Sequence, residues 1–197
     1  MVRFKGAILA GGSARRFGGA PKGCLPAAEG ETIVARLLAA FAEAGIEPVE
    51  IVANDPGPYV RFGRAILADL RPGLGPLAGI EAALRHADNP CEALVVVACD
   101  LPGLTAAELR LLVAAYRESG GPVVVAEGPD GSWQPLCAVV SGETLSAISG
   151  ALDRGQRSVE QLWRELGARS VRCEEAGAFF NVNTPGDLAA WQAGRAR

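Results

Sequence analysis

Six short apolar runs, separated by segments of helical periodicity, constrain the fold of this 197-residue chain more than any other feature. The runs cover residues 6–10, 49–53, 65–68, 93–98, 122–126 and 136–140. They lack the alternation of apolar and polar residues, as expected for strands that are covered on both faces. Strands that alternate with helices along a chain are typical of an α/β fold. The sequence therefore predicts a doubly wound, Rossmann-like and mostly parallel sheet with helices on both faces.

Capping signals predict where several helices begin. The segments Thr105–Glu108 and Ser158–Gln161 have the spacing of a capping box, and Thr184 followed by a proline is a third helix start. We expect these elements to form a single domain over residues 1–197, because no linker or low-complexity tract interrupts them. Ligands of a doubly wound sheet bind beyond the carboxyl ends of its strands, which directs attention to the loops after the apolar runs.

Composition narrows the classes of function. A net charge of −3 argues against a nucleic-acid-binding surface. The apolar run at residues 7–10 is followed at once by glycines and arginines, so we expect neither a secretory signal nor a membrane span. The five cysteines are odd in number and form no CxxC pair, which disfavours a zinc site and a disulfide framework. Buried free thiols in a reducing cytoplasm are the expectation.

The loop after the first apolar run is rich in glycines and cations. Between residues 9 and 22 it holds four glycines together with Arg15, Arg16 and Lys22. Glycines let backbone N–H groups approach a phosphate closely, and the cations offset its charge. The spacing matches neither the dinucleotide motif GxGxxG nor a P-loop. We predict a triphosphate site in which Arg16 and Lys22 are catalytic; the alternative is an ordinary flexible turn. The predicted contacts are Leu9, Ala10, Gly11, Gly12 and Lys22.

Asp100 directly follows the fourth apolar run. This position places its carboxylate at the edge of the sheet where ligands bind. Magnesium is commonly held by one or two carboxylates together with phosphate oxygens. We therefore predict that Asp100 binds Mg2+ and is catalytic. The alternative is a turn residue before Pro102.

Two further polar residues follow predicted strands. Asn54 comes directly after the second run, where its neutral amide is suited to reading a base or a ribose. Asp69 follows the third run and is predicted to face the nucleotide. The alternative for both residues is a role in local turns.

Near the end of the chain, Asn181 and Asn183 flank Val182. In an extended segment both amides point to the same side, where they can bind a polar heterocycle or a phosphate. We predict that they bind the substrate that accepts the transferred group. The alternative is hydrogen bonding within the loop before the capped helix.

The chain has one histidine, His86, which lies on a predicted helix among polar neighbours. We expect it to be a surface residue. A catalytic Ser–His or Cys–His pair could use no histidine other than His86. A reaction that depends on positioning and a metal needs no histidine.

Taken together, these motifs resemble those of the molybdenum cofactor guanylyltransferases, a family of the nucleotidyltransferase superfamily. The first loop is similar to the signature LAGGxxxRxG followed by a Lys, with Pro21 where an Asp is common. The segments GPLAG, ACDLP and FNVNTP follow in the family's order, and the resemblance covers residues 6–191.

The resemblance implies a Mg2+-dependent transfer of GMP from GTP to the terminal phosphate of molybdopterin, with release of pyrophosphate. It also implies that Asn181 and Asn183 lie on the molybdopterin side, and that molybdenum insertion proteins and molybdoenzyme apoproteins are partners. Three alternatives stay open: a related transferase that uses CTP or activates a sugar phosphate, a non-catalytic nucleotide-binding regulator, and a protein-interaction domain.

Overall fold

A computed structural model describes residues 3–11, 17–28, 30–86 and 93–195. Nine strands and six α-helices make up this part of the chain. The strands are β1 Phe4–Leu9, β2 Pro26–Ala28, β3 Glu31–Thr32, β4 Val49–Val52, β5 Ile66–Leu67, β6 Ala93–Ala98, β7 Val123–Glu127, β8 Trp133–Ser141 and β9 Arg169–Arg172. The helices are α1 Ile33–Ala44, α2 Pro76–Arg85, α3 Ala106–Ser119, α4 Leu145–Asp153, α5 Val159–Glu165 and α6 Pro185–Arg195.

Seven of the strands form one sheet in the order β5-β4-β1-β6-β8-β7-β9. All neighbouring pairs are parallel except those of β8, which runs antiparallel to both β6 and β7. Only five residues connect β7 to β8, and a parallel pair needs a crossover of a dozen or more. The short connection therefore explains the reversed strand within a sheet that is otherwise parallel, as predicted.

Helices cover both faces of this sheet, which confirms the predicted doubly wound architecture. Helices α1 and α3 pack against each other on one face, above Ile8 and Val95. Helices α2 and α4 pack together on the other face, with Ala7 and Val96 beneath them. Neighbouring residues of β1 and β6 thus enter two different cores, which is why their sequences are apolar throughout.

The predicted helix starts are confirmed by their hydrogen bonds. Thr105 and Glu108 form a complete capping box at the start of α3. The Ser158 side chain accepts the N–H of Gln161, and the Thr184 hydroxyl accepts the N–H of Asp187. Helix α4 and the strands β2, β3 and β9 had no counterpart in the sequence-based prediction. No helix in the described part of the chain is long and apolar enough to cross a membrane.

Candidate active site

The carboxyl ends of β1, β4 and β6 meet at one edge of the sheet around a cavity of about 430 Å3. This cavity contains most of the predicted nucleotide-binding residues. Its lining comprises Leu9, Gly11, Lys22, Val52, Asn54, Asp69, Gly73, Gly75, Pro76, Gly79, Ala98, Cys99, Asp100 and Leu136. Gly12 and Arg16, which were also predicted to bind or catalyse, lie outside the described residues.

The start of the glycine-rich loop is fixed to its surroundings. The N–H of Ala10 donates to the Val52 carbonyl at 2.9 Å, and the hydroxyl of Tyr59 donates to the Ala10 carbonyl at 3.3 Å. Beyond this anchor, Gly11 is exposed at the cavity. Ala10 and Gly11 therefore leave β1 in a defined direction, and Gly11 presents an accessible backbone, as a phosphate site requires.

Lys22 returns the loop to the cavity on a single 3-10 turn, Lys22–Cys24. The next residue, Gly23, is buried so closely that a Cβ atom there would lie 2.5 Å from Val34 Cγ2. The Lys22 ammonium lies 3.1 Å from Asp100 Oδ2 and 2.8 Å from Asn183 Oδ1. The structure thus joins three predicted site residues from the first, middle and last parts of the chain.

The two carboxylate oxygens of Asp100 have different surroundings. Oδ2 pairs with Lys22, whereas Oδ1 is buried and has no hydrogen-bond partner among the described residues. A buried polar oxygen without a partner is costly and calls for an explanation, and a bound cation is one. Asp100 is also held by its backbone, because its carbonyl accepts the N–H of Val182 at 2.9 Å.

Asn54 and Asp69 form a reciprocal pair on the opposite wall of the cavity. The Asn54 amide donates to Asp69 Oδ2 at 2.8 Å, and the Asp69 N–H donates to Asn54 Oδ1 at 2.9 Å. A Cβ atom on Gly79 would lie 3.3 Å from the other carboxylate oxygen, Asp69 Oδ1. The amide therefore orients the carboxylate, and the helix beneath approaches it closely because residue 79 is a glycine.

The first turn of α2 and the loop before it contribute residues that the sequence-based prediction did not assign to the site. Gly73, Gly75, Pro76 and Gly79 all line the cavity. Gly75 is the N-cap residue at φ 83°, a conformation that favours glycine, and no side chain caps this helix. The signal was present in the sequence, since a glycine followed by proline is typical of a helix start.

The two asparagines near the end of the chain differ in their contacts. Both are exposed around the buried Val182, as the alternation predicted. Asn183 contacts Lys22, whereas the amide of Asn181 donates to the Phe179 carbonyl within its own segment at 3.1 Å. Neither asparagine is part of the cavity lining, and Asn183 is connected to it through Lys22.

Asp187 braces this segment and was not predicted as a site residue. Its Oδ2 accepts the N–H groups of Asn183 and Thr184 at 2.9 and 2.7 Å. The hydrogen bond from the Asn183 N–H, together with the one from Thr184, holds the pKa of this carboxyl below its usual value. The sequence signal was a Thr with an acidic residue three positions later.

Burial keeps the cysteine in the cavity wall protonated. Cys99 is buried, and the loss of solvation raises the pKa of its thiol to about 12. The four described cysteines, Cys24, Cys99, Cys137 and Cys173, are free thiols, and all but Cys24 are buried.

His86 is half-exposed, as expected, and its Nδ1 lies 2.6 Å from Glu50 Oε1, away from the cavity lining. The arrangement favours positioning and charge over a thiol or imidazole nucleophile.

Comparisons with known proteins show which family the chain is similar to. Residues 6–171 match the family described as "MobA-like NTP transferase domain". A molybdenum cofactor guanylyltransferase of Mesorhizobium japonicum is 37% identical, over 93% of this chain and 92% of that protein. The molybdopterin-guanine dinucleotide biosynthesis protein A of Archaeoglobus fulgidus has the same fold, with a TM-score of 0.79, 24% identity and 98% of each chain covered.

A manganese complex of Rv0371c from Mycobacterium tuberculosis also shares the fold, with a TM-score of 0.72 at 17% identity over 98% of each chain. The likeness to these solved structures concerns the fold, whereas the family match and the relative at 37% identity span most of the sequence. The chain therefore belongs to the molybdenum cofactor guanylyltransferase family and carries its MobA-like NTP transferase domain.

Proposed function

We propose that this protein transfers GMP from GTP to the terminal phosphate of molybdopterin and releases pyrophosphate. The observation that carries the proposal is the pair of Lys22 and Asp100 at the ligand edge of the sheet, with Asp100 Oδ1 buried and unpaired among the described residues. A cation beside a carboxylate with one unpaired oxygen is the combination needed to bind a triphosphate with its metal.

The chemistry requires alignment and charge compensation from this chain. An oxygen of the acceptor phosphate forms a bond to the α-phosphorus of GTP as the bond to the pyrophosphate oxygen breaks. The acceptor oxygen is already anionic, so no residue has to remove a proton from it. Lys22 offsets negative charge on the phosphates and on the leaving pyrophosphate, and Arg16 is proposed to do the same.

Asp100 is the residue proposed to hold Mg2+, through the oxygen that Lys22 does not engage. No group of three or more His, Cys, Asp or Glu side chains that suits a metal occurs in the described ranges, so the remaining ligands would be phosphate oxygens and water. This donor set fits magnesium, which commonly takes one or two carboxylates together with phosphates. When bound, the ion supplies charge neutralisation at the phosphates.

Asp69 and Asn54 are proposed to read the base. Guanine presents two neighbouring donors, the N1–H and the 2-amino group, and a carboxylate can accept from both. Cytosine presents a single amino donor followed by two acceptors, N3 and O2, and matches this carboxylate less well. The Asn54 amide keeps Asp69 oriented toward the cavity, with Asp69 Oδ2 held at 2.8 Å. This arrangement favours GTP over CTP.

The remaining assignments follow from the same proposal. Asn183, which contacts Lys22, and Asn181 in the same segment are proposed to serve molybdopterin. Molybdenum insertion proteins and molybdoenzyme apoproteins would then supply the acceptor and receive the product. We place the reaction in the cytoplasm, where the free thiols of the described cysteines would stay reduced.

The test is to incubate the purified protein with Mg2+, radiolabelled GTP or CTP, and molybdopterin, and to measure the labelled pterin product and pyrophosphate. Lys22→Ala and Asp100→Asn should each reduce turnover by about a hundredfold, since one lost transition-state contact costs about 3 kcal/mol. Arg64→Ala is the control, because it removes an equal charge from an ion pair with Glu47. Full activity in Lys22→Ala would contradict the triphosphate site, and an unchanged Mg2+ titration in Asp100→Asn would contradict the metal role.

A further inference from the structure

Lys22 is held by two acceptors of different charge. Its ammonium donates to the carboxylate of Asp100 at 3.1 Å and to the neutral amide oxygen of Asn183 at 2.8 Å. A lysine ammonium has three N–H donors, so these two contacts leave one donor for a phosphate. The side chains of Lys22 and Asp100 are 27% and 21% exposed, which leaves the ammonium within reach of a ligand.

The orientation of the Asn183 amide follows from this contact. An ammonium can only donate, so the amide must present its oxygen to Lys22. Its NH2 group is then available to other acceptors. One side chain can therefore hold the lysine and still contribute to an adjacent acceptor site.

The position of the Asn183 oxygen is set by the backbone around it. The N–H of Asn183 donates to Asp187 Oδ2, and the N–H of the preceding Val182 donates to the Asp100 carbonyl, both at 2.9 Å. Val182 itself is fully buried. The backbone at Val182 and Asn183 is thus held by hydrogen bonds that do not use the Asn183 side chain. The amide oxygen is therefore presented to Lys22 from a fixed position.

The carboxylate of Asp100 and the amide of Asn183 differ in how much of the Lys22 charge they leave for a bound triphosphate. A carboxylate that pairs with Lys22 cancels its charge, and in the proposed mechanism that carboxylate is needed by the metal. A neutral amide holds the ammonium and leaves its charge for the triphosphate. A lysine side chain has many rotamers when it is free, so a fixed partner lowers the entropic cost of ordering it on a ligand.

We infer that Asn183 is a positioning residue for Lys22, through which the end of the chain sets the affinity for the nucleoside triphosphate. This inference rests on the proposed function, because it takes the ligand of Lys22 to be a triphosphate. It adds to the predicted acceptor role of Asn183 and separates that residue from Asn181, whose amide contacts the Phe179 carbonyl.

The experiment is a double-mutant cycle on the full-length protein. The Kd for Mg2+ and GTP, without any acceptor, is measured by calorimetry for wild type, Lys22→Ala, Asn183→Ala and the double variant. We expect Lys22→Ala to raise the Kd by 10- to 100-fold, roughly the effect of losing a charged hydrogen bond. Asn183→Ala should raise it about fivefold in the wild-type background and less than twofold in the Lys22→Ala background, because its effect passes through Lys22.

Gln161→Ala is the control, since it removes a side-chain amide that donates to Glu165 on an exposed helix and has no contact with Lys22; its Kd for GTP should stay at the wild-type value. Thermal melts check folding, and Asn183→Ala keeps the backbone N–H that Asp187 accepts. If Asn183→Ala raised the Kd equally in both backgrounds, or not at all while Lys22→Ala did, the positioning inference would be overturned and the triphosphate site would stand. If Lys22→Ala left the Kd unchanged, the proposed function itself would fail.

Discussion

At the scale of single residues, the site depends on carboxylates whose two oxygens serve different partners. Asp100 gives one oxygen to Lys22, and its other oxygen is buried. Asp69 gives Oδ2 to Asn54, and Oδ1 lies toward Gly79 at the cavity wall. In each case a neighbour fixes the carboxylate, so that binding the proposed ligand would require little further ordering of the side chain.

Replacing Asp69 should reduce the preference for guanine. Asp69→Asn keeps the shape of the side chain but exchanges an acceptor for a donor, which opposes the donors of guanine. We expect kcat/KM for GTP to fall by about 10- to 100-fold, while the low values for CTP and ATP change by less than about threefold. Asp55→Asn is the matched control, because Asp55 accepts the N–H of Gly57 and does not line the cavity. A fall that is equal for all three nucleotides would contradict base reading by Asp69.

At the scale of elements, helix α2 ties the cavity wall to helix α4, its neighbour on the same face of the sheet. Glu81 of this helix has a side chain that is 1% exposed, and its carboxylate lies 3.2 Å from nitrogens of Arg71 and Arg85. The Ser149 hydroxyl of α4 donates to the same carboxylate at 2.7 Å. Arg71 belongs to the loop between Asp69 and α2, so a buried charge in the helix fixes the loop that carries Asp69.

Glu81→Gln should therefore destabilise the protein much more than an equivalent change on the surface. Removing one partner of a buried charge network costs about 3 kcal/mol, which corresponds to a fall in Tm of roughly 6–12 °C at this size. Glu160→Gln is the control, because Glu160 pairs with Arg164 on an exposed helix face and should cost less than about 1 kcal/mol. Thermal melts of both variants test this, and equal shifts would show that the Glu81 network adds no stability.

The segment before α6 should respond to acid through Asp187. The pKa of this carboxyl is lowered in the fold, so its ionised form stabilises the protein. That contribution is fully present above the unfolded pKa of about 3.9, and it is lost as the pH falls through the lower folded pKa. The Tm of wild type should exceed that of Asp187→Ala at pH 7, and the difference should narrow below about pH 4. A difference that stays constant from pH 7 to pH 3 would contradict this role.

At the scale of the whole molecule, the sequence predicted the elements better than their mutual placement. The six apolar runs all became strands, because burial on both faces leaves a pattern that short windows reveal. Strand β9 was missed because it is an edge strand, three of whose four residues are exposed, and so lacks that pattern. Strand β8 forms where expected but runs antiparallel, which depends on the length of a connection.

The sequence predicted which residues form the site, whereas the contacts between those residues could be identified only in the folded structure. The ligand edge of a doubly wound sheet is a general property, so residues after the strands were correctly expected around one cavity. The contact between Lys22 and Asn183 joins residues 161 positions apart. No periodicity in the sequence reports such a pair, because it forms only when the last segment packs against the middle loop.

The packing of the last segment against the middle loop offers a test on the scale of the whole chain. Gly103 follows the Asp100 loop, and a Cβ atom there would lie 2.0 Å from the Gly177 carbonyl oxygen and 2.9 Å from Trp191 Cη2. Gly103→Ala must therefore push the last segment away, and overpacking of this kind costs about 1–3 kcal/mol. We expect a lower Tm together with weaker GTP binding, because Asn183 moves away from Lys22. Gly194→Ala in α6 meets no atom within 4 Å and should leave both quantities near wild type or raise the stability slightly. If Gly103→Ala behaved like Gly194→Ala in the melt and in the titration, close docking of the chain's end would not be needed for the nucleotide site.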